Sequence, residues 1–273
     1  MHARKAAGAI GAFVTSVDLT AAGEDAALHR QIRSLVHEYE VLFFPDQAIT
    51  PQALEAFARG FGDIEDHPAY PKVDGTAVQM LESTPESPSK IELWHSDMTF
   101  RPAPPSLTIV HGKIIPDYGG DTLWSSASAA YRALTPAMRE LVDGLTAEHD
   151  FRHGFRESLA EPGGAERLRE AVAANPPVTH PLVRTHPESG RRALFVNPLF
   201  TTRICELAPD ESDAILAFLY QHCIRDEYTV RLDWNPNTVV VWDNAVTQHK
   251  PVNDFHPQHR LLHRLTVVGT QPV

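Results

Sequence analysis

Thr238-Val239-Val240-Val241-Trp242-Asp243-Asn244-Ala245-Val246-Thr247-Gln248-His249 runs from a β-branched apolar stretch into a polar turn and on to a histidine. An unbroken apolar run of that length, rich in valine, reads as a strand covered on both faces rather than a strand with one wet side. Val41-Leu42-Phe43-Phe44 has the same character and is stopped by Pro45, and Leu107-Thr108-Ile109-Val110 and Leu265-Thr266-Val267-Val268 complete the buried set. Further strands are expected over 8–17, 78–81, 123–124 and 193–197.

Helices are predicted between these strands. Residues 24–39 place Leu28, Ile32, Leu35 and Val36 on one face, and Thr50-Pro51 opens a second helix that carries Leu54, Phe57 and Phe61 and ends at Gly62. Residues 128–134, 135–145 and 210–223 are also predicted helical. Pro68, Pro71, Pro85 and Pro88 make 67–88 read as a loop or lid, and 151–181 carries few order signals beyond one short helical patch between Pro162-Gly163-Gly164 and Pro176-Pro177 and is expected to be a mobile flap. No repeat and no linker divides the chain, so a single domain over 1–273 is expected. Short strands with long insertions and no regular βαβ alternation favour a mainly β fold with added helices. The expected form is a double-stranded β-helix (jelly roll, cupin-like) rather than a doubly wound sheet.

Composition narrows the function. With 24 Lys+Arg against 35 Asp+Glu, the 273-residue chain has a formal charge of −11, which provides no basic face for nucleic acid or an anionic membrane. A small-molecule substrate and copies of the same chain are the expected partners. Arg4 and Lys5 are not followed by an apolar stretch of signal-peptide length, and no run of ~18 apolar residues occurs, so a cytoplasmic location is expected. Two cysteines, Cys205 and Cys223, are too few for a disulfide framework and read as buried thiols. Fifteen histidines invite a search for metal ligands.

His95-Ser96-Asp97 lies in a segment that reads as extended, where residues i and i+2 share a face and can hold one ion together. A histidine two residues before an aspartate is common in a chain this rich in both, so the pair alone reads equally as a hydrogen-bonded couple. His186-Pro187-Glu188 has similar ligand types but sits in a turn with two arginines following, and reads as a surface loop. The C-terminal stretch tips the balance. There a buried strand leads to His249, and Arg260 and Arg264 follow on the way into the last strand, where the mouth of a barrel would lie. Two imidazoles and one carboxylate leave coordination positions open, the arrangement suited to iron(II) and oxygen chemistry rather than a closed zinc site. Arginines at such a mouth suit a carboxylate or sulfonate through paired, charge-assisted hydrogen bonds, although each alone reads more readily as a surface salt bridge.

From about Gly11 to Gly269 the sequence resembles the taurine dioxygenase family of iron(II)- and 2-oxoglutarate-dependent enzymes. The matching segments are Leu42-Phe43-Phe44 with Asp46-Gln47, Phe61-Gly62 with His67-Pro68 and Tyr70-Pro71, and Trp94-His95-Ser96-Asp97. They continue with Gly119-Gly120-Asp121-Thr122-Leu123-Trp124, Phe200-Thr201-Thr202-Arg203-Ile204, and Trp242-Asp243-Asn244 through His249 to His263-Arg264. The resemblance implies that His95, Asp97 and His249 bind Fe(II) at the catalytic centre. It implies that 2-oxoglutarate chelates the metal while its far carboxylate pairs with Arg260 and the Thr122 hydroxyl. With O2 as the other co-substrate, succinate and CO2 are formed and the substrate carbon is hydroxylated. It further implies that His67 and Arg264 bind a substrate sulfonate, with Tyr70, Phe155 and Phe200 lining the pocket. Hydroxylation beside sulfur would release sulfite and an aldehyde, and oligomers are common in the family, so a homo-oligomer is expected.

Two departures from the taurine enzymes stand out. Ile91 occupies the position, four residues before His95, where those enzymes carry an asparagine near the substrate amine, and Pro198-Leu199 precede Phe200 where more polar or flexible residues are usual. An apolar side chain cannot hydrogen-bond an ammonium group, whose unpaired burial is costly. The expected substrate is therefore a small organic acid, an alkyl sulfonate with a less polar tail than taurine, with a sulfate ester or a carboxylate as the alternatives. Two competing readings are a metal-binding relative without turnover and an iron dioxygenase that does not use 2-oxoglutarate. The second leaves Arg260 and Thr122 without a role. His29, His37 and His222, on predicted helices, read as polar-face residues.

Overall fold

The apolar run over 239–242 lies at the centre of the molecule. The computed structural model describes residues 1–66 and 70–273. In the larger sheet the strands follow the order His2–Lys5, Ala12–Thr15, Val41–Phe44, Val239–Asp243, Leu107–Ile114, Arg260–Val267 and Ile64–Glu65, and Gln79–Ser83 also pairs with Arg260–Val267. Val239–Asp243 is flanked on both sides, with Val240 opposite Phe43 on one neighbour and opposite Val110 on the other. A smaller sheet is made of Thr229–Leu232, Thr122–Ser126 and Thr247–Pro251.

Side-chain alternation along these strands splits the apolar residues into two layers. Val41, Phe43, Val240 and Trp242 point inward and meet Trp124, Val230 and Leu232 of the smaller sheet. Leu42, Phe44, Val239 and Val241 point the other way, onto Ile32, Val36, Leu54 and Phe57 of the covering helices. Both faces of Val239–Asp243 are therefore dry, which is why polar alternation is missing from its sequence. The covering helices are Ala26–Tyr39, capped by the Asp25 carboxylate on the Ala27 and Leu28 amides, and Pro51–Arg59, capped by Thr50 on the Ala53 amide. Thr135 caps Pro136–Val142 in the same way, and Pro209–Cys223 packs on a separate core with Leu182, Val196 and Ile204. The fold is thus β-rich with helices on its outside. Among the described residues no helix is long and apolar enough to cross a membrane.

Several sequence expectations are corrected. The first strand is not continuous over 8–17: Gly11 adopts a positive φ of 87°, and the chain doubles back so that His2–Lys5 pairs with Ala12–Thr15. The stretch 151–181 contains four short helices, Phe151–Gly154, Arg156–Ala160, Gly164–Arg167 and Arg169–Ala174, before the strand Val178–Pro181. The first two are too short to show a helical period, so the sequence pattern hid them, whereas the last two fall within the expected helical patch. His29 and His222 are not on polar faces; both are buried and bonded to carbonyl oxygens, His29 Nε2 to Phe57 (2.9 Å) and His222 Nε2 to Ala130 (2.8 Å). Cys223 is buried as expected, and its thiol is pushed up to about 12 by that burial, whereas Cys205 is only half-buried; both are free.

His149, fully buried in the strand Thr146–His149, is pushed down to about 3, first by burial and then by neighbouring His180. The folded protein therefore keeps this ring neutral at pH values where the unfolded chain protonates it. Its contribution to stability is complete above the unfolded value of 6.5 and is lost as pH falls towards about 3. Between pH 7.5 and 5 this one group is expected to cost about 2 kcal/mol. Urea unfolding at both pH values should show a smaller acid-induced loss in His149→Asn than in the unsubstituted protein.

Candidate active site

His95 and His249 come together through a single antiparallel bridge in which each backbone amide donates to the other residue's carbonyl, at 2.9 and 2.7 Å. Their rings lie 4.1 Å apart. The expected extended run through 94–100 is not a regular strand. The bridge stops at His95, Asp97 begins a turn, and Met98 takes a left-handed φ of 51°. Asp97 nevertheless turns towards the same point, because the Asn244 side chain holds its backbone on both sides. One ligand-type atom from each of His95, Asp97 and His249 lies within 4.8 Å of the others, and all three residues are buried.

This donor set is chemically prepared for a cation. His95 Nδ1 bonds to the Leu93 carbonyl at 2.8 Å, which puts the ring proton on Nδ1 and leaves the Nε2 lone pair facing Asp97 Oδ1 at 4.0 Å. A divalent ion about 2.1 Å from each of two donors spans up to about 4.2 Å, so the separation is within reach. Burial pushes the His249 imidazole down to about 3, with His95 adding to the effect, and burial likewise keeps His95 below its ordinary range against the pull of Asp97. Both rings are neutral near pH 7, the state that binds metal. For Asp97, burial opposes ionisation, but Arg264, the two imidazoles and the Thr108 hydroxyl at 2.7 Å outweigh it and hold the carboxyl well below the usual carboxylate range.

The triad opens into a cavity of about 970 Å³. Arg260 and Thr122 line it, with Arg260 Nη2 donating to Thr122 Oγ1 at 3.5 Å. Burial lowers Arg260 to about 10, which leaves it charged at neutral pH, and its Nε has no hydrogen-bond partner among the described residues. Arg264 sits beside the triad, with Nη2 3.0 Å from Asp97 Oδ1 and the guanidinium 5.9 Å from the Tyr70 ring. That contact with Asp97 is electrostatic. Neither Nη2 nor Nε of Arg264 is engaged in a hydrogen bond among the described residues, and the side chain lines the cavity. Tyr70, Phe155 and Phe200 also line the cavity, together with Ile91, Leu93 and Leu168. His67 lies outside the described residues.

Sequence reasoning overlooked four contributors. Trp234 donates from Nε1 to Thr122 Oγ1 at 3.0 Å, and Arg260 lies over the rings of Trp234 (5.9 Å) and Phe255 (5.7 Å). Thr108 and Asn244 hold the two ends of Asp97. Only Asn244 carried a local signal, since it stands in the turn after the buried strand.

His186 is also reassigned. It is 6% exposed rather than part of a surface loop, and its Nε2 lies 3.0 Å from Asp243 Oδ2. With His37 and Asp243 it forms a second group of ligand-type side chains. However, its Nδ1 accepts from the amides of Glu188 (3.2 Å) and Ser189 (2.9 Å), so Nε2 carries the proton and donates it to Asp243. The lone pair an ion would need is already used, and the group works as an anchor for the Asp243 turn.

Comparison with known proteins agrees with this geometry. The family model "Taurine catabolism dioxygenase TauD, TfdA family" matches residues 2–266. An alkylsulfatase of Acinetobacter baylyi is 34% identical, covering 98% of this chain and 85% of the relative. An alpha-ketoglutarate-dependent sulfate ester dioxygenase of Pseudomonas putida is 36% identical, covering 98% of this chain and 89% of the relative. The crystal structure of a taurine dioxygenase from Burkholderia xenovorans superposes with a TM-score of 0.85 at 35% identity, covering 100% of this chain and 90% of that one. The chain belongs to the TauD/TfdA family and is an iron(II)- and 2-oxoglutarate-dependent dioxygenase.

Proposed function

We propose that His95, Asp97 and His249 hold the iron, that Arg260 and Thr122 bind the far carboxylate of 2-oxoglutarate, and that Arg264, Tyr70, Phe155, Phe200 and His67 receive the substrate. The observation that carries this reading is one cavity that joins three converging donor atoms to two buried, unsaturated guanidinium groups. When bound, iron with 2-oxoglutarate and O2 supplies the oxidation of a substrate C–H bond to C–OH, with succinate and CO2 as the other products.

The chain's own work is binding, orientation and exclusion of water. Trp234 and Arg260 both donate to Thr122 Oγ1, so the Thr122 hydroxyl hydrogen is free to turn towards a carboxylate in the cavity. Arg260, held between the rings of Trp234 and Phe255, presents its guanidinium to that carboxylate with little rotamer freedom left to lose. Arg264 sits on the substrate side, where its unsaturated N–H groups suit a second anion. Its charge also keeps Asp97 ionised.

The substrate we infer is an alkyl sulfonate or a sulfate ester with an apolar tail. Support comes from Ile91, Leu93, Leu168, Leu199, Phe155 and Phe200 among the cavity-lining residues, an apolar group of side chains that suits hydrocarbon, although Glu92 and Glu157 line the same cavity. The names of the two sulfate-ester relatives weigh towards the ester. We further read the whole chain as one domain and its two facing sheets as a double-stranded β-helix, or jelly roll, because the inner apolar layer is shared by both sheets and the cavity opens between them. The free cysteines suit a reducing, cytoplasmic setting.

His95→Ala and His249→Ala are expected to abolish succinate release, and wild-type turnover in either variant would end the triad assignment. Arg260→Ala should raise the KM for 2-oxoglutarate by roughly a hundredfold, the loss of a charge-assisted pair, while kcat falls much less. The two substrate classes separate by product, because hydroxylation next to the ester oxygen releases an aldehyde and sulfate, whereas hydroxylation next to sulfonate sulfur releases an aldehyde and sulfite. Ion chromatography of reactions with matched alkyl sulfates and alkyl sulfonates tells which anion accompanies succinate. Faster turnover of taurine than of either would contradict the apolar-tail reading.

A further inference from the structure

We propose that Asn244 is a positioning residue that sets the direction of the Asp97 carboxylate by standing in for a missing rung of β-structure. The proposal rests on the triad reading above. In a regular antiparallel pair, the amide and carbonyl of Asp97 would be bonded by a neighbouring strand. Here the backbone bridge between the two segments ends at His95 and His249, and Asp97 already lies in a turn. One side chain takes over both bonds. Asn244 Oδ1 accepts from the Asp97 amide at 2.7 Å, and Nδ2 donates to the Asp97 carbonyl and to the Pro105 carbonyl, each at 3.0 Å.

Only a primary amide satisfies this geometry. It needs one acceptor and two donors on a short stem, in a site where Asn244 is 0% exposed and water cannot substitute. Pinning both backbone groups of Asp97 fixes the direction in which its Cα–Cβ bond leaves the chain, and contacts with Thr108 and Arg264 then set the rotation of the carboxylate. The carboxylate then meets Thr108 on Oδ2 and faces the two imidazoles with Oδ1.

Asn244 is itself held from behind. Its amide donates to the Ser106 carbonyl at 2.9 Å, and the Thr247 hydroxyl donates to the Asp243 carbonyl at 2.7 Å. Asp243 accepts the Ala245 amide at 2.9 Å on Oδ1 and His186 Nε2 at 3.0 Å on Oδ2. The turn between the central strand and His249 is thus rigid, and it ties the carboxylate ligand to the same short segment that delivers the second histidine.

The test is Mn(II) titration of the full-length protein, followed by the electron paramagnetic resonance signal of free ion, with circular dichroism to confirm folding. Asn244→Ser, neutral and too short to reach all three partners, is expected to bind Mn(II) some 10–100-fold more weakly than the unsubstituted protein. Asn244→Asp keeps the shape and the acceptor but sets a carboxylate against two carbonyl oxygens. It should also lose affinity, although its added negative charge by itself favours a cation, and it carries the test if the serine variant does not fold. His222→Gln removes a buried polar contact far from the cavity and controls for general destabilisation; it should leave Mn(II) affinity within about twofold. A folded Asn244→Ser protein with unchanged affinity, or a His222→Gln protein that loses affinity equally, would overturn the positioning role. Equal Mn(II) binding by Asp97→Ala and the unsubstituted protein would instead overturn the triad reading itself.

Discussion

Two reciprocal backbone hydrogen bonds between His95 and His249 are the constraint on which the candidate site depends. They form an isolated bridge rather than a continuous ladder, yet they join segments from opposite halves of the chain and bring two imidazoles, tilted by 47°, within 4.1 Å of each other. Closing so long a loop costs conformational entropy that two hydrogen bonds cannot offset. The surrounding structure supplies the difference. Val239–Asp243, dry on both faces, delivers the 243–249 segment to a fixed place, and Leu107–Ile114 beside it carries Thr108 to the other side of Asp97. The bridge is therefore a consequence of core packing, and the ligand geometry is a consequence of the bridge.

Charge is arranged against the character of the whole molecule. The chain carries a formal −11, but its cavity is lined by two buried arginines and holds one deeply ionised carboxylate. Burying charge in a low-dielectric interior is costly unless each group is paired or stacked. Asp97 has Arg264 and Thr108; Arg260 has the rings of Trp234 and Phe255 and the Thr122 hydroxyl. The N–H groups left unsaturated on both arginines face the space where two small anions are proposed to bind. A local cationic pocket in an acidic protein selects by short-range contact rather than by long-range steering.

Much of this was legible in residue patterns. The β-branched run over 238–242, the Thr50 cap, and the long helix ending at Cys223 follow from local rules, because each depends on neighbours within a few positions. His95, Asp97 and His249 were identified together, although the reason given for the first pair was incomplete: alternation along a strand does not hold where Met98 turns left-handed, and an asparagine amide does the orienting instead. His186, Thr108 and Trp234 were hidden for a common reason. Their roles arise from contacts across the fold, 57 positions in the chain for His186 and Asp243, and no local period marks such a partner. The helices over 151–160 were hidden by their brevity.

The sequence by itself determined the candidate ligand types, the candidate anion-binding residues, the buried strands and the family to which the chain belongs, since all are carried by side-chain identity in order along the chain. Tertiary structure alone decided which carbonyl fixes the His95 tautomer, which hydroxyl and guanidinium keep Asp97 ionised, and that the Asn244 amide replaces a strand at the edge of the bridge. The physical reason is range. Propensity and hydrophobic period act between residues near in sequence, whereas hydrogen bonds and buried charge pairs act between residues that only packing brings within about 3 Å.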